Sequence, residues 1–316
     1  MGCRVTSVNR TPIQNRLGDL ATLLKFLKVY PYSEKRAFET DIANLWKYGR
    51  DEEAVKRLKR LGGCLLLRRP KGILDLPPRH DLRNQIDLSL DERQLYEGIR
   101  SQALAKIDEA LAQANPGTKS HSFVNVLQRI EALRMVCNLG LHYHDRHEID
   151  TTLHVSPTSE NWETLAQRTV VFSTWRMTLN LIEVGLKQAS IRCLRFDGKA
   201  PQKERQAVVD RFRRDPSIKV LLLTLSCGAV GLTLTAACRA YLMEPHWNPT
   251  LEDQSLARIH RMGQKKELTT IRFVVKNSFE ERVIEIQDFK RDLASVLLNP
   301  QGESGFSTRN KPLEVS

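Results

Sequence analysis

Paired cysteines are missing from this sequence of 316 residues. Its six cysteines stand singly, and no two of them form a C-x-x-C pair, which argues against a zinc ribbon and against a disulfide framework. Cys137 lies close to His142, His144 and His147. A single cysteine with this histidine spacing matches no known zinc finger, so we expect a solvated loop and no metal site.

Long apolar runs are also missing. No stretch approaches the roughly 18 consecutive apolar residues that a membrane span requires, and no apolar signal core follows the basic residues at the N-terminus. No internal repeat with a period of about 20 to 50 residues is present. We therefore expect a soluble intracellular protein with no membrane partner.

Positive charge is in clear excess. Lys and Arg total 49 against 37 Asp and Glu, for a formal net charge of +12, and such an excess attracts polyanions. Nucleic acid is the favoured partner class, although basic structural proteins and ribosome-associated proteins share this balance. The 41% hydrophobic content is ordinary for globular proteins, and the length predicts two folded units with connections.

The first half of the chain has mainly helical patterning. Leucines recur at helical spacing between residues 17 and 27, and two further helices are predicted over 91–113 and 122–138. Alternating residues after Pro77 and Pro78 predict a strand.

The second half alternates between apolar strands and helices. Between residues 169 and 275, strands bracket predicted helices over 176–188, 202–213 and 250–261, and a long helix follows over 278–298. This order predicts an α/β fold with a doubly wound, buried parallel sheet. The final residues, 299–316, are polar and rich in breakers, which predicts a disordered tail.

Ligands of such sheets bind where the strands end. After the strand that ends in LLLTL come Gly228 and Gly231, whose missing Cβ atoms permit close approach of a ligand. A G-x-x-G pattern alone is weak evidence for a ligand site, because it more often forms a tight strand-to-helix turn.

A second candidate feature is the string Gln254-x-x-x-Arg258-x-His260-Arg261-x-Gly263-Gln264. We predict that it lies on a helix and its C-terminal turn, with Arg258 and Arg261 on one face. Two guanidinium groups directed at one point suit phosphate recognition. A solvated basic face is the alternative interpretation.

Four strings occur together in a fixed order: DGKAPQKERQAVVDRF (197–212), GAVGLTLTAA (228–237), MEPHWNP (243–249) and DQSLARIHRMGQ (253–264). They resemble successive motifs of the Snf-type branch of helicase superfamily two. The resemblance extends to TPIQNRLGDLATLLKFL near the start and CLLLRRPKGILDLPPR in the middle, and so to about residue 298. It is strongest to the branch of the helicase-like transcription factor and its fungal relatives.

The resemblance implies a domain organisation. Residues 1–110 would be a mostly helical remnant of the first RecA-like ATPase lobe, and 111–165 a helical connection between lobes. Residues 166–298 would form the RecA-like helicase C-terminal lobe, ahead of the tail at 299–316.

The resemblance also implies roles for particular residues. Arg258 and Arg261 take the places of arginine fingers on the γ-phosphate of ATP, and Gly228, Gly231 and Gln254 lie at the same nucleotide cleft. Contacts with DNA phosphates would come from Ser173, Thr174, Thr224 and Ser226. The motif that couples the lobes would be Thr11, Pro12, Gln14 and Asn15.

The sequence departs from the family pattern. Arg10, Thr233 and Ala257 stand where glycine, asparagine and an acidic residue are common, which weakens details of the assignment. More importantly, no G-x-x-x-x-G-K-[ST] loop and no Asp-Glu-x-His string is present. We expect that the chain alone neither binds ATP and Mg²⁺ productively nor hydrolyses ATP, and that a missing first-lobe segment is needed for activity.

The resulting functional hypothesis is the C-terminal part of an ATP-dependent DNA translocase in chromatin remodelling or DNA repair. We expect DNA, bound through its backbone, as the partner, nucleosomes as a further candidate partner, and the nucleus as the location. The alternative is a non-catalytic DNA-binding or adaptor protein derived from such an ATPase. An RNA helicase is a weaker alternative, because its arginine motif usually reads differently. A truncated gene model and a genuine short product both fit.

Overall fold

The computed structural model describes residues 17–47, 51–65, 75–112, 119–144, 167–198, 202–229 and 231–298. Two compact units are present. The sheet unit comprises Asp75–His246 and Leu251–Ile284, and the helical unit comprises Met1–Leu74, Trp247–Thr250 and Glu285–Ser316.

The sheet unit contains a six-stranded sheet in the order β1-β6-β5-β2-β4-β3. Every pair of neighbouring strands is parallel. The strands are β1 Arg79–Ile86, β2 Thr169–Ser173, β3 Cys193–Phe196, β4 Val220–Thr224, β5 Arg239–Leu242 and β6 Leu268–Val275. The predicted doubly wound parallel sheet is confirmed.

Both faces of the central strands are covered. Leu221 and Leu223 of β4 belong to one apolar cluster with Phe172, whereas Val220 and Leu222 belong to another on the opposite face. Because successive strand residues point to opposite sides, this division shows why β2 and β4 are apolar at nearly every position rather than alternating.

Helices α7 Arg176–Gln188, α8 Gln202–Arg214 and α9 Leu225–Gly228 pack against the sheet. The other helices of this part of the chain are α5 Leu90–Ala112, α6 Lys119–Leu139, α10 Pro249–Leu256 and α11 Phe279–Leu298. Helices α5 and α6 pack against each other through Tyr96, Ile99, Leu133 and Val136.

Strand β1 was expected from the sequence, but its partner was not. The sequence places residues 79–86 in the first-lobe remnant, whereas the structure pairs all eight β1 residues with β6. Side chains of β1 are largely exposed, so the backbone ladder, not an apolar face, holds this strand in the sheet. The proposed boundaries at residues 110 and 165 stay predictions.

The helical unit is built from α1 Leu17–Phe26, α2 Lys35–Phe38, a π-helical turn Glu39–Ala43, α3 Asn44–Lys47 and α4 Asp51–Leu65. Its core includes Leu20, Leu24, Ile42 and Leu58, with Phe289 of α11 packed against them. The helical spacing of the N-terminal leucines therefore did predict a buried stripe.

Some predictions fall on residues outside the described ranges. These are the coupling motif Thr11, Pro12, Gln14 and Asn15, and the tail at 299–316. None of the described helices is both long and apolar enough to cross a membrane.

Candidate functional site

The carboxyl ends of β2, β4 and β5 meet at one edge of the sheet, because these strands are parallel and adjacent. Ser173 ends β2 and Thr224 ends β4, while Glu244 follows β5. We call this the carboxyl edge. The candidate site is built from the loops that leave it and from the turns after α10 that pack on the β4 loop.

The loop after β4 requires glycine at its first candidate position. A Cβ atom on Gly228 would lie 2.6 Å from Cε1 of Phe172 and 3.0 Å from Oγ of Ser255, closer than packed atoms tolerate. Gly231 has a φ of +33° with open space around it, so it is used for its backbone conformation. The two glycines serve close packing and chain reversal, which is the turn interpretation of the G-x-x-G pattern.

The arginines lie beyond a shorter helix than the sequence predicts. Helix α10 ends at Leu256, not at residue 261, and Arg258 and Arg261 lie on the tight turns that follow. Their common helical face is therefore corrected to a common loop: Arg258 Nη2 donates to Ala229 O at 2.6 Å, and Arg261 Nη1 donates to the Thr233 hydroxyl at 3.2 Å.

The two guanidinium groups affect each other. Burial lowers the pKa of Arg258, and the positive charge of Arg261 lowers it further. Arg258 Nε is buried and has no hydrogen-bond partner within the part of the chain that the structure describes. A buried hydrogen-bond donor without an acceptor costs free energy. Two cations held close together repel each other, and a bound anion would relieve that repulsion. The arrangement is suited to phosphate.

Other residues of the arginine string maintain this geometry. Ser255 donates from its hydroxyl to Leu225 O at 3.2 Å and so joins α10 to the β4 loop. Gln264 is buried, donates to Ala237 O at 2.8 Å and accepts from the amides of Lys265 and Lys266. The sequence motif contains Gln264, but its pattern did not indicate this structural role. Gln254 lies half-buried on α10, one turn before Arg258.

The predicted DNA-contacting hydroxyls differ in exposure. Ser173 is fully buried, and its hydroxyl lies 3.1 Å from a carboxylate oxygen of Glu244. Thr174 Oγ1 is also buried, and Thr224 is 6% exposed. Only Ser226 among these four is exposed. The structure brings all four to the carboxyl edge, and their role in DNA binding stays a prediction.

Glu244, which sequence reasoning did not single out, organises the exit of β2. It accepts hydrogen bonds from the Ser173 hydroxyl and from the backbone amide of Thr174. Burial raises its pKa to about 8, and the nearby carboxyl of Glu280 contributes. Its place at the start of EPHWNP was the available signal, but the sequence could not show that its carboxyl points inward.

Helix α6 contacts the same exit. The guanidinium of Arg134, which is 1% exposed, donates to Pro245 O at 2.7 Å and lies 4.9 Å from the centre of the Trp175 ring. Glu131 accepts a hydrogen bond from the Trp175 indole at 3.0 Å. Trp175 is thus packed by α6, which suits an anchor rather than a base-stacking platform.

The proposed connection segment provides no metal cluster among the described residues. Burial raises the pKa of the Cys137 thiol, and Glu280 adds to this, which favours the protonated thiol; Cys137 packs against the apolar cluster of α5 and α6. His142 and His144 lie in the 3₁₀ turn and the residue after it, and His147 is outside the described residues.

Comparison with known protein families agrees with this architecture. The family described as "SNF2-related domain" matches residues 6–140, and the "Helicase conserved C-terminal domain" matches residues 158–263. The chain belongs to the Snf2-type helicase family. The second match contains the sheet strands β2 to β5 and both candidate arginines, so the family assignment and the site geometry involve the same residues.

Relatives within the Snf2-type family include DNA-repair and transcription proteins. The chain is 28% identical to the helicase-like transcription factor of Mus musculus, over 90% of this chain and 40% of the relative. It is 26% identical to DNA repair protein RAD5B of Arabidopsis thaliana, over 92% of this chain and 32% of the relative. The chain thus spans less than half the length of these relatives. The predicted relationship to the helicase-like transcription factor branch is confirmed.

Solved structures show the same fold. The C-terminal part of the Fun30 ATPase domain superposes with a TM-score of 0.54 at 17% identity, over 71% of this chain and 98% of that one. The Sulfolobus solfataricus SWI2/SNF2 ATPase core domain superposes with a TM-score of 0.52 at 21% identity, over 88% of this chain and 57% of that one. The RecA-like C-terminal lobe is confirmed as the fold class.

Proposed function

We propose that this chain supplies the arginine-bearing second-lobe part of an ATP-dependent DNA translocase that acts in chromatin remodelling or DNA repair. One observation carries the proposal: Arg258 and Arg261 are held together on the 229–233 loop, with a buried Arg258 Nε that has no protein partner within the described ranges. Family membership and the names of the relatives support the process.

The arginines would act on the γ-phosphate of ATP. In the family, hydrolysis of Mg²⁺-bound ATP supplies the energy for translocation. Each guanidinium offers a planar, permanently charged fork to phosphate oxygens, and an arginine finger contributes about 10³ to 10⁵ in rate by neutralising charge as it develops. Gly228 and Gly231 would shape the β4 loop at the nucleotide cleft through close packing and a turn, and Gln254 would support the arginine turns from α10.

We further propose that the chain by itself does not turn over ATP. The 316 residues contain neither a G-x-x-x-x-G-K-[ST] loop nor an Asp-Glu-x-His string, which are the groups that hold the phosphates and the metal ion in this superfamily. The function would then depend on a first-lobe segment that provides them.

Phosphate recognition can be measured without turnover. Thermal unfolding of the full chain with millimolar tripolyphosphate should show a raised midpoint, because a ligand that binds only the folded state stabilises it. The rise should disappear in Arg258→Ala and Arg261→Ala. Arg192→Ala, a charge-matched change of an exposed arginine, should retain it. An equal rise in all four proteins would overturn the phosphate site.

Turnover separates the two candidate functions. A DNA-stimulated phosphate-release assay should detect none with the purified chain. Supplying a first-lobe polypeptide of a relative should restore turnover that Arg261→Ala abolishes if the chain serves a translocase. Continued inactivity, together with retained DNA binding, would favour the non-catalytic DNA-binding or adaptor protein.

DNA is the proposed partner, bound without base recognition through phosphate contacts at the carboxyl edge. The net charge of +12 supports this, as do relatives named for DNA repair and transcription. Nucleosomes are a further proposed partner, and the nucleus is the proposed location.

A further inference from the structure

The two hydroxyls at the end of β2, of Ser173 and Thr174, face inward, so another group at this edge would have to contact a phosphate. Ser173 Oγ is bonded to Glu244, and Thr174 Oγ1 is buried. Neither hydroxyl is free to meet a DNA strand without rearrangement. An exposed cation two residues further along the chain, Arg176, lies at the same edge.

Arg176 is the first residue of α7. Because α7 follows the end of β2 directly, its N-terminus lies at the carboxyl edge of the sheet. The Arg176 side chain is 42% exposed, and its Nε donates to a carboxylate oxygen of Asp197 at 3.0 Å. Asp197 follows the end of β3 and is itself only 9% exposed at its side chain. The hydrogen bond to Asp197 therefore holds the guanidinium group through its Nε atom.

The terminal nitrogens of Arg176 remain available. Neither Nη1 nor Nη2 has a hydrogen-bond partner within the described part of the chain. An arginine held through Nε presents both Nη groups together, which is the geometry that binds two oxygens of one phosphate.

Arg195 on β3 shows the contrasting arrangement. Its Nε also donates to Asp197, but its Nη1 donates to Asn180 and Glu183 and its Nη2 donates to the backbone oxygen of Arg176. Arg195 is thus used internally. It already balances the charge of Asp197, which leaves the charge of Arg176 in excess.

The surrounding charges reinforce this excess. Within the cluster, two carboxylates, Asp197 and Glu183, face three cations, Arg176, Arg195 and Lys187. The N-cap residue of α7, Trp175, makes no capping hydrogen bond with its side chain, so the first-turn amides of α7 add a favourable field for an anion.

We propose that Arg176 binds the phosphate backbone of DNA and that Asp197 is the positioning residue that orients it. The inference rests on the proposed DNA-binding function and adds a residue to it. Contact with phosphate alone carries no sequence information, so the interaction would be independent of DNA sequence.

The test uses the full chain and a fluorescein-labelled duplex, with binding followed by anisotropy over a range of salt concentrations. Arg176→Ala should weaken binding about 3- to 10-fold, and it should reduce the slope of log affinity against log salt by about one. The matched control is Arg192→Ala. Arg192 precedes β3 at the opposite edge of the sheet and is paired with Asp215. Its substitution removes the same charge away from the proposed DNA contact, so the salt slope should stay unchanged.

Asp197 provides a test of opposite sign. Asp197→Ala makes the chain more basic, which by charge alone should tighten DNA binding. If the contact with Asp197 positions Arg176, Asp197→Ala should instead weaken DNA binding. Asp197→Asn keeps an acceptor oxygen, so it should bind DNA more tightly than Asp197→Ala. Circular dichroism would show whether Asp197→Ala folds, and Arg176→Ala decides the question if it does not.

The outcomes are distinguishable. If the wild-type chain shows no salt-dependent DNA binding, the proposed function and this inference both fail. If the wild-type chain binds DNA but Arg176→Ala and Arg192→Ala behave alike, DNA binding stands and the role of Arg176 is overturned. A selective loss in Arg176→Ala supports the inference.

Discussion

Individual residues of the candidate site are constrained by packing as much as by chemistry. Gly228 allows α9 to approach Phe172 and Ser255, and Ser255 in turn holds α10 to the β4 loop. The position of Arg258 depends on that loop, because its Nη2 donates to Ala229 O. A single Cβ atom at residue 228 would therefore disturb both the core and the arginine turns.

Gly228→Ala should lower the free energy of unfolding by about 1 to 3 kcal/mol, as overpacking does in well-filled cores. Urea denaturation followed by circular dichroism measures this. The matched control is Gly98→Ala on α5, where a Cβ atom would meet nothing within 4 Å; it should stabilise the chain by about 0.5 to 1 kcal/mol. Equal effects of the two substitutions would contradict the close approach at Gly228.

At the scale of elements, two carboxyls hydrogen-bond to the ends of strands. Glu244 binds the exit of β2, and Glu280 on α11 accepts from the Val275 amide at 2.9 Å at the end of β6. Burial raises the pKa of Glu280 to about 7 and, as noted, that of Glu244 to about 8. The raised values mean that the folded state favours the protonated carboxyls.

This gives a pH dependence with a defined sign. Between the ordinary glutamate pKa of about 4.3 and about 8, the folded chain binds more protons than the unfolded chain. The contribution of these carboxyls to stability is complete below that window and is lost as pH rises through it. The free energy of unfolding should fall from about pH 5 to about pH 9, and less steeply in Glu244→Gln.

Urea denaturation at a series of pH values measures this slope. Glu267→Gln, at an exposed position, is the control and should leave the slope as in wild type. A Glu244→Gln protein whose pH profile parallels that of wild type would show that Glu244 is ionised in both states.

The elements also show where sequence reasoning succeeded. Apolar runs such as TVVFS and VLLLT predicted buried parallel strands, and β2 and β4 are buried at every position. The end of α10 was wrong by several residues, because the turns from Ala257 to Arg261 are closed by local backbone bonds that leave no periodic signature. The sequence also could not predict that the Ser173 hydroxyl is buried, because this depends on Glu244, which is distant in the sequence.

For the whole molecule, the pairing of β1 with β6 places the N-terminal boundary of the sheet unit before residue 79. Sequence reasoning ended the first-lobe remnant at residue 110, but β1 forms a parallel ladder with β6. The backbone of residues 79–86 is protected by that ladder even though its side chains are exposed. Stability of the sheet unit should therefore extend to the N-terminal side of β1.

Limited proteolysis with N-terminal sequencing tests this expectation. The resistant fragment that contains β2 to β6 should begin before Arg79, because cleavage inside β1 requires its ladder to open. Leu82→Pro removes a backbone amide that the ladder register directs at β6, so it should shift the new N-terminus toward α5, whereas Asp75→Pro, ahead of the strand, should not. A wild-type fragment that begins near residue 111 would support the boundary proposed from sequence.

The sequence by itself determined the family and the parallel sheet and selected Arg258 and Arg261 as candidate residues, because these follow from local periodicity and from short motifs in a fixed order. Only the tertiary structure decided which polar groups are free. It turned the Ser173 hydroxyl inward, joined β1 to β6, and held Arg176 through Nε while leaving its Nη groups open. Such outcomes depend on contacts between residues far apart in the chain, which no local pattern records.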